Sequence, residues 1–445
     1  MLHKMLLLIL CFSSPRVVST ALATGKSLHP SAEHLRFHHD RHADKLAHKI
    51  YFDRRGYPMI AIRVGSLRQT AVIKAAKGEL VATCSAPKQQ TKRRSQDLKK
   101  IQGQQVQIDA RVLRSPTRRW RVELARFRPN ESLIEATRIK WQERLSLLEV
   151  SPRRPAPSLQ PNVGGLDANS KTKSGGLQVI TRQVGSLYGI GTETFDNREL
   201  LIFSQPFSSR ADALVAAEYY QQKGWISEIR LRPEQDKEGH IVLYLSTGGR
   251  PQTSSDSIRV HADRSNLLIK IDDGAWLSVG TDVALAKDDD GSIAVIRHLP
   301  VDKVLLGIVP REIFPSAPDG ALEAQTIAAR TDLLSKLGRR HLSSPYDVCN
   351  LSHCQNFVTT ETDTYPRILK AIRSTRGQVL VDRHYGRLVP ALYSAHCGGH
   401  SESNQLIWRG MPHPSLQGHT DTWCTRNPSK YNKWQRKISD ISFRP

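Results

Sequence analysis

Five short apolar runs between residues 258 and 299 constrain the fold most strongly: IRVHA, LLIKID, AWLSVG, DVALA and IAVIRHL. Each is too short for a stable helix and is bounded by Asp-Gly or Gly turns. The spacing therefore predicts paired strands. From residue 300 the texture changes. Pro318 to Leu337 is rich in helix formers, with Pro318 and Asp319 suited to its start and Gly338 to its stop. Glu323, Ile327, Arg330, Leu334 and Leu337 follow the three-four spacing of one helix face. Strands grouped before helix predict a sheet-rich α+β fold with a helical segment near 318–337. At 445 residues the chain is about three times a single-domain length of ~150, so several domains are expected.

Punctuation marks the boundaries. Residues 58–150 open with Ile- and Val-rich strand-like runs broken by Gly65 and Gly78, then turn basic, with thirteen Lys and Arg against three acids over 86–128. Residues 151–176 are dense in Pro, Ser, Gly and Asn and read as a linker. A small α+β module is expected over 177–257, its helix near Ser208–Lys223 stopping at Gly224. The remaining stretch, 258–445, holds the strand array and the helix.

The first residues bear on compartment. His3 and Lys4 precede the apolar run Met5–Phe12, and Ala21-Leu22-Ala23 is a small-x-small site. This is the grammar of a secretory signal peptide over 1–23. The run is far short of the ~20 residues that span a bilayer, and no later segment is long and apolar enough to span. The alternative is a buried N-terminal strand. Export to the periplasm, cell envelope or extracellular space is expected, with a His-rich polar leader over 24–57. Net charge is +23, which predicts an anionic partner. In an exported protein that partner is a wall polymer, with no nucleic acid expected.

Two residues have chemical potential on their own surroundings. Glu312 lies between the strand-like run LLGIVP and the helix, flanked by Ile308, Val309, Ile313 and Phe314. Apolar neighbours desolvate a carboxyl, raise its pKa and let it hold the proton that a general acid must deliver. Arg330 interrupts the apolar helix stripe. It reads either as a snorkelling side chain or as a buried guanidinium kept for a carboxylate or substrate group.

The order of four blocks narrows the reading. VDKVLLGIVPREI, ALEAQTIAARTDLLSK, YDVCNLSHCQNF and LVPALYSAHCGGHSE together resemble the stage II sporulation protein D family (SpoIID/LytB) over roughly 295–436. Weaker similarity reaches back to IRVGSLRQTAVIKAAKGEL. The resemblance implies a lytic transglycosylase acting on peptidoglycan glycan strands, cutting between N-acetylmuramic acid and N-acetylglucosamine with a 1,6-anhydro product. It makes Glu312 the acid/base and Arg330 its companion, with Thr331 following as the family motif has it. The Lys common in the family's helix is Glu323 here. Ser401, after the Cys397-Gly398-Gly399 turn, takes a hydroxyl role in substrate binding. Cys349, His353 and Cys354 imply a zinc site, the fourth ligand coming from His341 or Cys397. The competing arrangement is a Cys349–Cys354 disulfide with Cys397 paired to Cys424. The family's Gly/His-rich closing motif has no counterpart before the last residue. Two further functions fit the same residues: a non-catalytic activator of a cell-wall amidase, and a basic polyanion binder.

Overall fold

The computed structural model describes residues 16–19, 51–52, 58–84, 99–114, 118–127, 133–149 and, with short gaps, 179–426. The expected linker and nearly all of the expected His-rich leader lie outside the described residues. Of the expected signal peptide, Arg16–Ser19 is described and forms a strand, antiparallel to Gln378–Val381.

Seven helices are described: α1 (Leu133–Glu149), α2 (Arg210–Gln222), α3 (Val301–Glu312), α4 (Asp319–Lys336), α5 (Pro366–Ser374), α6 (Asn404–Trp408) and α7 (Thr422–Arg426). They accompany three large sheets, so the fold is α+β and sheet-rich. None of the described helices is long and apolar enough to cross a membrane.

The strand runs of 258–299 pair as their turns predict. Ser257–His261, Asp282–Lys287 and Ile293–Pro300 lie side by side in an eight-stranded sheet, flanked by Pro58–Leu67 and Leu80–Cys84 from the other half of the chain and completed by Tyr51–Phe52, Lys99–Gly103 and Val348–Cys349. A six-stranded sheet runs from Arg250–Ser255 through His240–Thr247, Gln105–Arg114 and Thr70–Ala75 to Leu267–Ile271 and Trp276–Ser278. Alternate residues of the two sheets, among them Leu67, Ile73, Ile108, Ile258, Ile269 and Val295, are buried together in one core. That is the period-two pattern of strands burying one face.

Pairing groups the chain differently from its order in sequence. Arg118–Phe127, which the basic stretch placed with the N-terminal strands, pairs with Glu199–Phe203 and Leu231–Gln235 instead. His240–Thr247 and Arg250–Ser255, which the sequence placed in the small module, belong to the six-stranded sheet. Arg118–Phe127, Ile180–Val184, Glu199–Phe203 and Leu231–Gln235 thus form a four-stranded sheet of a small module, and in sequence they fall between two strands of the six-stranded sheet. The four-stranded sheet packs on α1 and α2 through Trp141, Leu145, Ala213, Ala217, Tyr220 and Val122. Helix α2 begins where its sequence predicts: the Ser209 hydroxyl accepts from the Asp212 N–H at 3.0 Å, an N-cap.

The helices α3, α4 and α5 cover the other face of the eight-stranded sheet. Ile60, Ile62, Ala284 and Ile296 meet Val304, Leu305, Ile308, Leu333, Leu334, Ile368 and Ile372 there. The segment LLGIVPRE, expected as strand-like, is the body of α3. Its buried residues Val301, Val304, Leu305 and Ile308 have helical spacing, and Pro310 sits in the last turn, where the helix is about to end. Gly307 has a packing reason. A Cβ there would lie 2.4 Å from the Phe357 ring and 2.5 Å from the Val358 carbonyl, so only Gly lets segment 357–358 cross α3 this closely. Helix α4 matches its sequence bounds almost to the residue.

Candidate functional site

Glu312 is the last residue of α3, and Ile313 after it is extended. The turn from α3 into α4 leaves its carboxyl half-buried against the side of α4. Burial raises its pKa from the ordinary glutamate value, and the Asp332 carboxylate raises it further. Lys336, the Asn356 N–H and the Tyr393 hydroxyl pull in the other direction without cancelling the rise. Asp332 and Lys336 sit one turn apart on α4 and form an ion pair at 2.5 Å. Asp332 is itself buried, which holds its pKa up as well. Burial and the charges of Glu312 and Asp332 push Tyr393 well above its usual range, so it remains a neutral hydroxyl donor.

Around this group lie polar atoms without partners. Asp332 Oδ1, Gln325 Nε2 and Gln355 Oε1 are buried and make no hydrogen bond. Both glutamines act on Tyr393, and Gln355 Nε2 donates to its hydroxyl at 3.3 Å. Buried polar groups are nearly always satisfied. Three orphans around one raised carboxyl mark a place where water or a polar ligand completes the set. The arrangement suits proton delivery to, and recovery from, a polar substrate at Glu312.

Arg330 is placed elsewhere on α4. Its guanidinium is 3% exposed. It donates to the backbone carbonyls of Thr375 at 2.8 Å, Gln378 at 3.1 Å and Ile372 at 3.3 Å, closing the C-terminal end of α5. Burial lowers its pKa to about 10, which leaves it charged at neutral pH. The group is buried, as one reading of the sequence has it, but it is held by carbonyls and not by a carboxylate. Thr331 beside it accepts from the Leu380 N–H at 3.0 Å and ties α4 to the strand Gln378–Val381. Glu323 accepts from the Ser374 hydroxyl at 2.6 Å on the exposed side. Ser401 is engaged by His419: its hydroxyl lies 3.3 Å from His419 Nδ1 and accepts from the His419 N–H at 3.1 Å.

Cys349, His353 and Cys354 come together, and His341 joins them. One donor atom of each lies within 4.8 Å of all the others. His341 Nε2 is 3.3 Å from Cys354 Sγ, and His353 Nδ1 is 3.6 Å from Cys354 Sγ and 3.9 Å from Cys349 Sγ. Ligands 2.0–2.3 Å from a tetrahedral zinc are separated by about 3.3–3.8 Å, so the set fits the ion. Hydrogen bonds from Cys354, His341 and His353 lower the pKa of Cys349 against burial, while the Cys349 contact and burial raise that of Cys354, so the two sulfurs titrate as a pair. His341 has a positive φ of 46°, an uncommon conformation for a residue with a side chain. No disulfide joins any of the described cysteines. Cys397, the other expected fourth ligand, lies in a separate cluster with Asp421 and Cys424.

The two features are mechanically joined. Lys336, the ion-pair partner of Asp332, also donates to the Cys354 carbonyl. Gln355 and Asn356, which reach Tyr393 and Glu312, follow Cys354 directly in the chain. Sequence reading found Glu312 and the Cys/His set but not Asp332, Lys336, Gln325, Gln355 or Tyr393. The i, i+4 spacing of Asp332 and Lys336 was the one available signal for that pair.

Residues 289–381 match the stage II sporulation protein family SpoIID. This segment contains Glu312, α4 and the full Cys/His set. An uncharacterized protein of Brachyspira hyodysenteriae is 27% identical over 157 residues, 34% of this chain and 42% of that protein. The amidase enhancer of Bacillus subtilis is 32% identical over 104 residues, 23% of this chain and 13% of that protein. The chain thus aligns with less than half the length of either relative. The segment 289–381 is thus a SpoIID-like domain within this chain, and the order of the motifs in and around it agrees with that likeness.

Proposed function

We propose that this protein is an exported lytic transglycosylase of peptidoglycan glycan strands, with Glu312 as its acid and base. The SpoIID domain supports a cell-wall-related role. The observation that carries the finer reading is the raised, half-buried Glu312 carboxyl among unpartnered buried polar atoms. Protonated Glu312 gives its proton to the glycosidic oxygen between N-acetylmuramic acid and N-acetylglucosamine as that bond breaks. The resulting carboxylate then takes the proton of the muramoyl 6-hydroxyl, whose oxygen closes on the anomeric carbon. The product is a 1,6-anhydro sugar, and one carboxyl suffices because no water need be activated. Glycosidases that use water commonly need two flanking carboxyls. Tyr393, kept neutral, orients the Glu312 carboxyl. Asp332 keeps it protonated.

The residues His341, Cys349, His353 and Cys354 fit a zinc ion with four protein ligands. A closed set of this kind is structural. It would fix the 353–357 segment that brings Gln355 and Asn356 to the site. Arg330 acts in this reading as a clamp on α5 that keeps α4 in place. Ser401 is proposed as a substrate contact, reached by rotation of its hydroxyl away from His419.

The test is digestion of peptide-free peptidoglycan glycan with products read by mass. Anhydro-muramoyl ends are expected from the wild type and none from Glu312→Ala. A second reading, activation of a cell-wall amidase without catalysis, is favoured by the relative named amidase enhancer. A folded wild type that releases no product but accelerates an added amidase would select that reading.

A further inference from the structure

A second set of metal-binding donors lies outside the Glu312 site. Cys397, Asp421 and Cys424 each bring one donor atom to within 4.8 Å of the other two. The Cys397 thiol donates to Asp421 Oδ2 at 3.2 Å, and Asp421 Oδ1 accepts from the Trp423 N–H at 2.9 Å. Asp421 is 5% exposed. The groups acting on its carboxyl are the two thiols and the N–H groups of Trp423 and Cys424, none of them cationic. A buried carboxylate is ordinarily paired with a cation or bound to a metal. Here two soft sulfur donors sit where the cation would be.

The backbone brings these donors together from two places in the chain. Gly398 and Gly399 have φ of 72° and 106°, values that favour glycine. A Cβ on Gly399 would lie 2.4 Å from Thr425 Cγ2 of α7. The Asp421 N–H donates to the Gly399 carbonyl at 2.8 Å, and His400 bridges Thr420. The loop carrying Cys397 is therefore laid directly on the segment carrying Asp421 and Cys424.

We infer that Cys397, Asp421 and Cys424 form a second zinc site, separate from the Cys/His set, with two thiolates and one carboxylate as ligands and the fourth position open to solvent. The 3.2 Å between Cys397 Sγ and Asp421 Oδ2 is close to the edge, about 3.5 Å, of a tetrahedron around zinc with one sulfur and one oxygen ligand. Binding releases the two thiol protons, so the three anionic ligands meet the dication and the buried carboxylate gains a countercharge that none of the described groups acting on it supplies. A disulfide would do the opposite. Removing two hydrogens to join the sulfurs would take from Asp421 the thiol donor it now has and supply no charge in return. The ion would pin the 418–426 segment to the loop that follows Tyr393 by four residues.

The experiment is elemental analysis of the full chain purified anaerobically with zinc present, alongside peptide mass mapping without reductant. Two zinc ions per chain are expected for the wild type, one for Cys424→Ser and one for Cys349→Ser. If Cys424→Ser does not fold, cobalt titration of the wild type reads the same site, with two equivalents expected to develop thiolate-to-cobalt absorption. Fewer than two ions in the wild type, two ions retained by Cys424→Ser, a single cobalt equivalent, or a Cys397–Cys424 cross-linked peptide would each overturn the assignment.

Discussion

Two carboxylates of this protein occupy comparably crowded surroundings and are treated in opposite ways. In the small module, Glu123 is buried on the four-stranded sheet, and burial opposes its charge. Three guanidinia outweigh that: Arg126 at 2.7 Å, Arg232 at 3.0 Å and Arg230 at 3.3 Å hold its carboxyl below the usual range. At the end of α3, Glu312 has burial and a neighbouring carboxylate, and its proton is held more tightly than usual. The module satisfies its charge. The helical face pairs Asp332 with Lys336 but sets two carboxyls close together and leaves Asp332 Oδ1 without a hydrogen bond. Structural carboxylates are matched because mismatch costs stability, and a mismatch that persists at the mouth of a helix pair marks chemistry.

The same contrast appears at the joint between the regions. Glu199 of the module receives Arg126 at 2.6 Å and Arg339, just past α4, at 3.1 Å. The matched network therefore holds the module against the turn that leads to His341. The raised carboxyl of Glu312 lies beside α4, next to Asp332 and Lys336.

The largest effect is expected at Glu312. A positioned general acid contributes about 10²–10⁴-fold, so Glu312→Gln should lower the rate of anhydro-product release by that factor with an unchanged thermal midpoint, read by product mass and by calorimetry. Wild-type rate in a folded Glu312→Gln protein would remove the distinction between the two carboxylates.

Metal loss comes next. Cys354→Ser should release zinc, loosen the segment holding Gln355 and Asn356, and reduce turnover about tenfold or more, checked by elemental analysis and activity on one preparation. A variant that loses the ion and keeps its rate would separate the metal from the site.

Glu123→Gln attacks the matched side. It should destabilise the chain by about 1–3 kcal/mol at neutral pH in denaturant melts and leave the catalytic rate unchanged. The pH dependence has a fixed sign. A depressed native pKa gives stability that is present above the unfolded value and is lost as pH falls through the native one. The wild type should therefore lose stability toward acid, and Glu123→Gln should lose less.

The smallest effect is expected from packing alone. Gly307→Ala must displace Phe357 or the Val358 carbonyl and should cost about 1–3 kcal/mol, measured by the same melts. It moves segment 357–358 next to Asn356, so a rate loss without a stability loss would show that this crossing serves the site more than the core.

Much of the fold was legible in local patterns. The strand runs of 258–299 carry their own turns, and α4 carries its own start and stop. Helix α3 was harder. An unbroken apolar run ending in Pro has no clear period, and only packing against the sheet reveals Val304, Leu305 and Ile308 as one face. The partners of Arg118–Phe127 were hidden because they lie far along the chain, at Glu199–Phe203 and Leu231–Gln235, and pairing at a distance leaves no local mark. Within the site, the apolar neighbours of Glu312 were a weak signal that the resemblance of the four blocks made specific, and the Cys/His set was read from donor chemistry together with that resemblance. Asp332 and Tyr393 were not, because each looks ordinary until the turn between α3 and α4 and the return of the chain at 393 bring it beside Glu312. Arg330 was read either as snorkelling or as buried for a carboxylate or substrate group; it is buried, but on carbonyls that lie some 45 residues away in sequence.

The central claim is that Glu312 holds its proton more tightly than an ordinary glutamate, because of burial and Asp332. The carboxyl carbon resonance of Glu312 in glutamate-labelled protein, assigned by its absence in Glu312→Gln and followed across pH, reads this directly. A titration above the ordinary glutamate value, moving down in Asp332→Asn, is the predicted result. A titration at or below the ordinary value in the folded wild type would contradict the account.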